Sequence, residues 1–310
     1  MKIGDYVVRE SYGKDIIFKV MDVKDNNDGS KSYVLKGISI RILADSREDD
    51  LIVVDDDFEA DIDRMFNSRV NKAIKNVMDR RGGGCSFPSN KRESPSTRRD
   101  SRSESRGEGR GKSGKIIKQE NLVFGRPGKI LHIDGDENYL ENCLKVYKQL
   151  QLEAVGRAIS EKDQPSQILN IVKEVKPDIV VLTGHDGLFK NNKNYLDENS
   201  YRNSKYFMEA VKALREYNSS YDELVIFAGA CQSFYEGILD SGANYASSPS
   251  RVLIHCLDPV FVCEKVAYTA MDKVVQITEV IENTITGIKG VGGLQTRGKY
   301  REGYPKSQYI

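Results

Sequence analysis

The apolar positions change rhythm three times along the chain. From residue 1 to 54 they come in short runs, DYVVRE, DIIFKVMDV, SYVLKGI, IRILAD and LIVV, broken by turn signals at Gly13-Lys14, Asn26–Gly29 and Ser46–Asp50. Five short β-rich segments in so little chain predict a small SH3-like β-barrel over 1–54. Over 57–79, Phe58, Ile62, Phe66, Val70, Ile74 and Val77 recur at helical spacing, behind the acidic run Asp55–Asp57 that suits a helix start. The pattern predicts a helix over 55–80.

From 81 to 118 the periodicity disappears. Between Arg80 and Lys115 stand 11 Lys and Arg against 4 Asp and Glu, with 8 Ser, 7 Gly and one Phe as the only large apolar side chain. Such a stretch buries too little apolar surface to offset the entropy of ordering it, and reads as a disordered basic linker. An RNA-binding or phosphorylatable tail is the functional alternative.

Beyond 119 strands and helices alternate. GKILHID (128–134), LEAVGRAI (152–159), DIVVLT (178–183), ELVIFAGA (223–230) and RVLIHCL (251–257) read as strands. ENYLENCLKVYKQL (137–150), PSQILNIVKEV (165–175), YFMEAVKALREY (206–217) and a stretch from Gln232 to Leu239 read as helices. Continuous apolar strands between amphipathic helices predict an α/β domain over 119–310, a mostly parallel sheet flanked by helices.

Composition narrows the class. The chain has 310 residues, 39% hydrophobic and 30% charged, a balance suited to a soluble protein with a charged surface. No apolar run approaches the roughly 20 residues that span a bilayer. The opening MKIGDYVVRE has no apolar signal region, so the expected location is cytoplasmic. Cys85, Cys143, Cys231, Cys256 and Cys263 are odd in number and lack metal spacing, which argues against a disulfide framework or a metal site. No cofactor is called for. The net charge of +1 conceals a basic linker joined to net-acidic folded parts, which disfavours nucleic acid as the partner of those parts.

In a parallel sheet, chemistry collects at the carboxyl ends of the strands. The first strand ends in HIDGD, placing Asp134 and Asp136 there. The third ends in LTGHDG, placing His185, Asp186 and Gly187, and the fourth in FAGACQS, placing Cys231. If those strands are neighbours, a thiol, an imidazole and two carboxylates meet on one open rim. That set suits acyl transfer, since an imidazole can take the thiol proton and small flanking residues let a substrate backbone approach. A helix starting at Gln232 would add a dipole favouring thiolate. As bland readings, His132 and His255 lie inside apolar strands as core histidines, Cys143 packs on a helix, and Asp134 and Asp136 cap the helix that follows them.

An H–G pair ending one strand and an A–C pair ending the next, 46 residues on from His185 to Cys231, resembles the caspase–clostripain–legumain group of cysteine peptidases. This chain departs from the group in carrying Asp186 between His185 and Gly187. MKIGDYVVRESYGKDI, KILHIDGDENYLENC and VLTGHDG…FAGACQS together resemble, more closely, the sporulation-specific peptidases of endospore-forming bacteria. The resemblance implies a caspase-like fold and a mother-cell cysteine endopeptidase that trims spore coat and cortex-associated proteins after arginine. It implies Cys231 as nucleophile and His185 as its partner, with oxyanion donors from the backbone of Asp186, Gly187 and Cys231. Asp134 or Asp136 would read the substrate arginine. An enzyme with that preference could cut itself at Arg81, Arg92, Arg98, Arg99, Arg102, Arg106 or Arg110. Three other readings compete: an aspartyl-phosphate phosphatase at HIDGD, lacking the downstream acidic pair; a receiver domain, lacking the strand-end aspartate; and a non-enzymatic RNA- or protein-binding module.

Overall fold

The computed structural model describes residues 1–14, 16–26, 29–54, 68, 70–81, 123–189 and 194–307. Cys85, the six expected cleavage arginines from Arg92 to Arg110, and the first half of the 55–80 helix lie outside them.

Five strands form an antiparallel N-terminal sheet: β1 (Tyr6–Arg9), β2 (Ile17–Asp25), β3 (Lys31–Gly37), β4 (Leu43–Arg47) and β5 (Leu51–Val53), in the order β4-β3-β2-β1-β5. Alternate residues Phe18 and Val20, with Tyr33 and Leu35, point inward and close a small core with Val7 and Leu51. The fourth strand was expected over 40–45 but starts at Leu43. Residues 38–42 leave the sheet instead, and Ile40 pairs in an antiparallel bridge with His255.

A helix over 70–81 (α1) follows, with Val70 and Val77 buried in the core of the next unit. Arg81 was expected in unfolded chain. It ends this helix, ion-paired to Glu264 at 2.7 Å and stacked over the Tyr268 ring.

The second unit begins with the short strand β6 (Phe124–Arg126) and carries β7 (Ile130–Asp134), α2 (Glu137–Gln149), β8 (Ala154–Ala158), α3 (Gln164–Val175), β9 (Ile179–Thr183), α4 (Ser204–Tyr217) and β10 (Val225–Ala228). There follow α5 (Tyr235–Asp240), β11 (Tyr245–Ser247), α6 (Asp258–Tyr268), β12 (Val274–Val275), α7 (Ile277–Asn283) and β13 (Val291–Gly293). The main sheet runs β13-β11-β10-β9-β7-β8, parallel except for β13. Strand residues alternate between its faces: Ile179 and Val181 pack with α1, α2 and α6, Val180 and Leu182 with α3 and α4. The helices end where chemistry requires. Asp136 caps α2, and Lys176 turns left-handed at the end of α3, just before Pro177.

Two expectations fail here. The last parallel strand is Tyr245–Ser247, and 251–255 is irregular although apolar; an apolar run alone does not distinguish a strand from a buried loop. The helix expected from Gln232 begins at Tyr235, because Gln232 adopts a left-handed conformation (φ 55°) that a helix does not admit. Its dipole therefore does not start at Cys231.

Candidate active site

β7, β9 and β10 are neighbours, and their register sets the rim. Asp134 pairs with Thr183, and Leu182 with Ala228. Asp136 and His185 each lie two residues beyond one matched pair, and His185 and Cys231 each three beyond the other. The chain passes from β7 to β8 on one side and returns to β9 on the other, so this is also the topological switch point.

His185 is held from several directions. Its Nε2 lies 3.0 Å from Asp136 Oδ2, a carboxylate that also receives Lys36 Nζ at 2.6 Å and caps α2. With Nε2–H donating to Asp136, the lone pair falls on Nδ1, which is buried and has no partner among the described residues. The backbone is fixed as well. His185 N–H donates to Glu161 Oε1 at 2.6 Å, and Asn203 Nδ2 donates to the His185 carbonyl at 2.8 Å. Glu161 reaches that amide only because residues 135 and 184 are glycines: a Cβ on either would fall 2.3 or 2.2 Å from its carboxylate.

The departure at Asp186 acquires a structural role. Its buried carboxyl accepts from the N–H of Gly187 and of Asn203, both at 2.8 Å, and from Ser204 Oγ at 2.5 Å, tying the histidine loop to the start of α4. Burial raises its pKa, and these donors oppose the rise. The Gly187 N–H is thereby engaged. The N–H groups of Asp186 and Cys231 take no acceptor among the described residues.

Cys231 is only 1% exposed, so the expected open rim is not what the structure presents. Its sulfur accepts from the Ile254 N–H at 3.2 Å. Burial pushes the thiol up to about 12, against the pull of that donor and of the Arg41 cation. His185 and Cys231 share no hydrogen bond. The Tyr139 ring lies beside the imidazole, 5.7 Å between centroids.

The two rim carboxylates separate cleanly. Asp136 belongs to His185 and Lys36. Asp134, fully buried, pairs with Arg41 of the segment between β3 and β4, Oδ2 to Nη1 at 2.5 Å, and accepts from Thr183 Oγ1 at 2.9 Å and the Asp136 N–H at 2.9 Å. Burial opposes its charge, but the guanidinium holds it well below the usual carboxylate range. Arg41 Nη2 meets the Cys256 carbonyl at 3.3 Å and Cys143 Sγ at 3.7 Å. Cys143 therefore packs as expected and also lines this pocket. His132 is buried between Tyr147 Oη (3.1 Å) and Thr183 Oγ1 (2.9 Å), with burial favouring its neutral form. His255 is 8% exposed and accepts the Leu257 N–H.

Sequence reasoning missed Lys36, Arg41, Tyr139 and Glu161. Lys36, on β3, and Arg41, in the segment after it, lie about a hundred residues away in the chain, and no local pattern announces such contacts. The one trace is Arg41 itself, a cation set among isoleucines in ISIRIL.

Asp136 also carries a pH consequence. Burial works against its charge, while hydrogen bonds from His185 and Lys36 outweigh that and hold its pKa at about 2. An unfolded aspartate titrates near ~3.9, so the folded state is favoured above that pH and loses the contribution as pH falls toward 2. Chemical denaturation midpoints of wild type should fall through this window more steeply than those of Asp136→Asn; parallel curves would refute it.

A thiol and an imidazole at one height on adjacent parallel strands, with backbone N–H groups beside them, make this rim the candidate site. The model of the family described as YabG peptidase U57 matches residues 2–305, and the chain belongs to that family. It is 37% identical over 304 residues, 98% of either chain, to the sporulation-specific protease YabG of Bacillus subtilis (strain 168). Among solved structures, the Salmonella typhimurium RcsB response regulator matches 38% of this chain and 50% of its own at 14% identity, with a TM-score of 0.26, too low to define a shared fold. No helix among the described residues is long and apolar enough to cross a membrane.

Proposed function

We propose that this peptidase is a cysteine endopeptidase with a caspase-like catalytic domain behind an SH3-like barrel, cutting after arginine during sporulation. The observation that supports it best is the register: His185 and Cys231 stand at one height on adjacent parallel strands, with a buried, unpartnered Nδ1 on the histidine. In this reading Nδ1 takes the Cys231 proton and the thiolate attacks the scissile carbonyl. The oxyanion receives the N–H groups of Asp186 and Cys231. The C–N bond then breaks as the imidazolium protonates the leaving amine, and water hydrolyses the thioester through the same base. Asp136 orients the imidazole; Asp134 forms the floor that pairs with the substrate guanidinium.

The proposed substrates are spore coat and cortex-associated proteins met in the mother cell, a reading that similarity to a sporulation-specific protease supports only as far as sporulation. A library of short fluorogenic peptides tests the reading, with cleavage expected after arginine by wild type and none by Cys231→Ala. Equal cleavage by both would end it.

Self-cleavage extends the same specificity. Arg92, Arg98, Arg99, Arg102, Arg106 and Arg110 lie in the basic segment, whereas Arg81 is committed to Glu264 and Tyr268. Purified wild type is expected to yield two fragments cut after one of those six, while Cys231→Ala stays whole. An intact wild type after days under reducing conditions would refute self-cleavage.

A further inference from the structure

The segment 38–42 lies across the rim in a particular way. Cys256 N–H donates to the Ser39 carbonyl at 2.9 Å, and Ile40 bridges His255 in antiparallel fashion. Tyr139 Oη donates to the Ile40 carbonyl at 2.8 Å. The next residue, Arg41, sends its guanidinium to Asp134, and the 254–256 segment beside it includes Ile254, whose N–H donates to the sulfur of Cys231 at 3.2 Å. The segment thus fills the acidic pocket with the Arg41 side chain and runs along the same stretch, 254–256, that touches the Cys231 sulfur. The guanidinium–carboxylate pair is the one that an arginine before a scissile bond would make with Asp134.

We propose that residues 39–41 occupy the substrate cleft as an internal substrate mimic. Arg41 stands in the arginine pocket, and 254–256 is the edge on which a substrate backbone docks. This inference rests on the arginine-specific cysteine-peptidase reading and adds two things. It assigns the wall of the arginine pocket to Cys143 Sγ and the Cys256 carbonyl beside Asp134, and it makes the described state a latent one.

The mimic escapes cleavage for geometric reasons. Ile42 N–H bonds back to the Ile40 carbonyl at 2.8 Å, closing a three-residue turn about Arg41 rather than presenting an extended peptide. The Cys231 sulfur is engaged by the Ile254 N–H. The thiol is desolvated and held in its neutral form. Lys36 on β3 holds Asp136 as a second point, so β3 and the segment after it grip both rim carboxylates.

Full-length protein reports on this through a peptidyl-arginine chloromethyl ketone, which labels a reactive thiol only when its arginine is seated. Arg41→Gln should label at Cys231 faster than wild type by about tenfold or more, as for a site open less than a tenth of the time. Because Arg41→Gln strands Asp134 and could unfold the chain, wild type supplies the second measurement. Labelling it should accelerate amide exchange at residues 38–42 and at Cys256, whose N–H loses the Ser39 carbonyl. Equal labelling rates in a folded Arg41→Gln, or labelled wild type with 38–42 still protected, would overturn the mimic alone. Failure of every form to label at Cys231 or to cut peptides would instead overturn the cysteine-peptidase reading.

Discussion

Cys231→Ala should lower kcat/KM for arginine peptides by about three orders of magnitude or more, the scale seen when a covalent nucleophile is removed. The size follows from the proposed mechanism. Without a sulfur no thioester forms, and the Asp186 and Cys231 amides can stabilise only the far slower attack of water. The substitution changes little else, since Cys231 is small and an alanine occupies most of its volume. Its lost polar contacts are one acceptor for the Ile254 N–H and a long approach to the Ile254 carbonyl. Thermal unfolding should therefore stay close to wild type while activity vanishes. Retained activity would remove Cys231 from the chemistry.

Asp134→Asn carries the largest expected cost to stability, about 3–5 kcal/mol, because it strands a fully buried guanidinium. A buried ion pair contributes little by itself, since each charge has already lost its hydration; the penalty comes from breaking it one-sidedly. Asp134→Leu together with Arg41→Met, two apolar side chains in the same space, should recover most of the loss. Denaturant midpoints of the two variants decide the point. If single and double variants are equally destabilised, the cost comes from packing rather than charge. In the proposed reading the specificity role separates from the structural one in a second comparison. In a folded Asp134→Asn, cutting after arginine should weaken while alkylation of Cys231 by a small reagent does not slow.

The sequence made legible whatever is local or periodic. Alternating apolar strands and amphipathic helices gave the sheet, and strand ends placed Asp134, Asp136, His185 and Cys231 on one rim, where the register puts them. What escaped depends on contacts between distant segments. RVLIHCL has the composition of a strand, yet it runs along the rim as a loop that pairs with Ile40 rather than with β11. IRILAD likewise reads as strand from its first residue, but Ile40 and Arg41 are drawn out of the sheet by His255 and Asp134. Asp136 looked interchangeable with Asp134 from spacing alone. Only the positions of His185, Lys36 and Arg41 divide the two carboxylates between an imidazole and a guanidinium. The burial of Cys231 was equally invisible, because Ile254, which meets its sulfur, belongs to a stretch that reads as a strand and folds as a loop.

The helix over 70–81 buries Val70 and Val77 against α2 and α6, each worth about 1.5–3 kcal/mol, and Arg81 clasps Glu264 at its end. Any nick in the basic segment falls after that helix is already anchored. Severing the polypeptide there would leave the halves clasped together as a non-covalent pair, so scission by itself would not unveil Cys231.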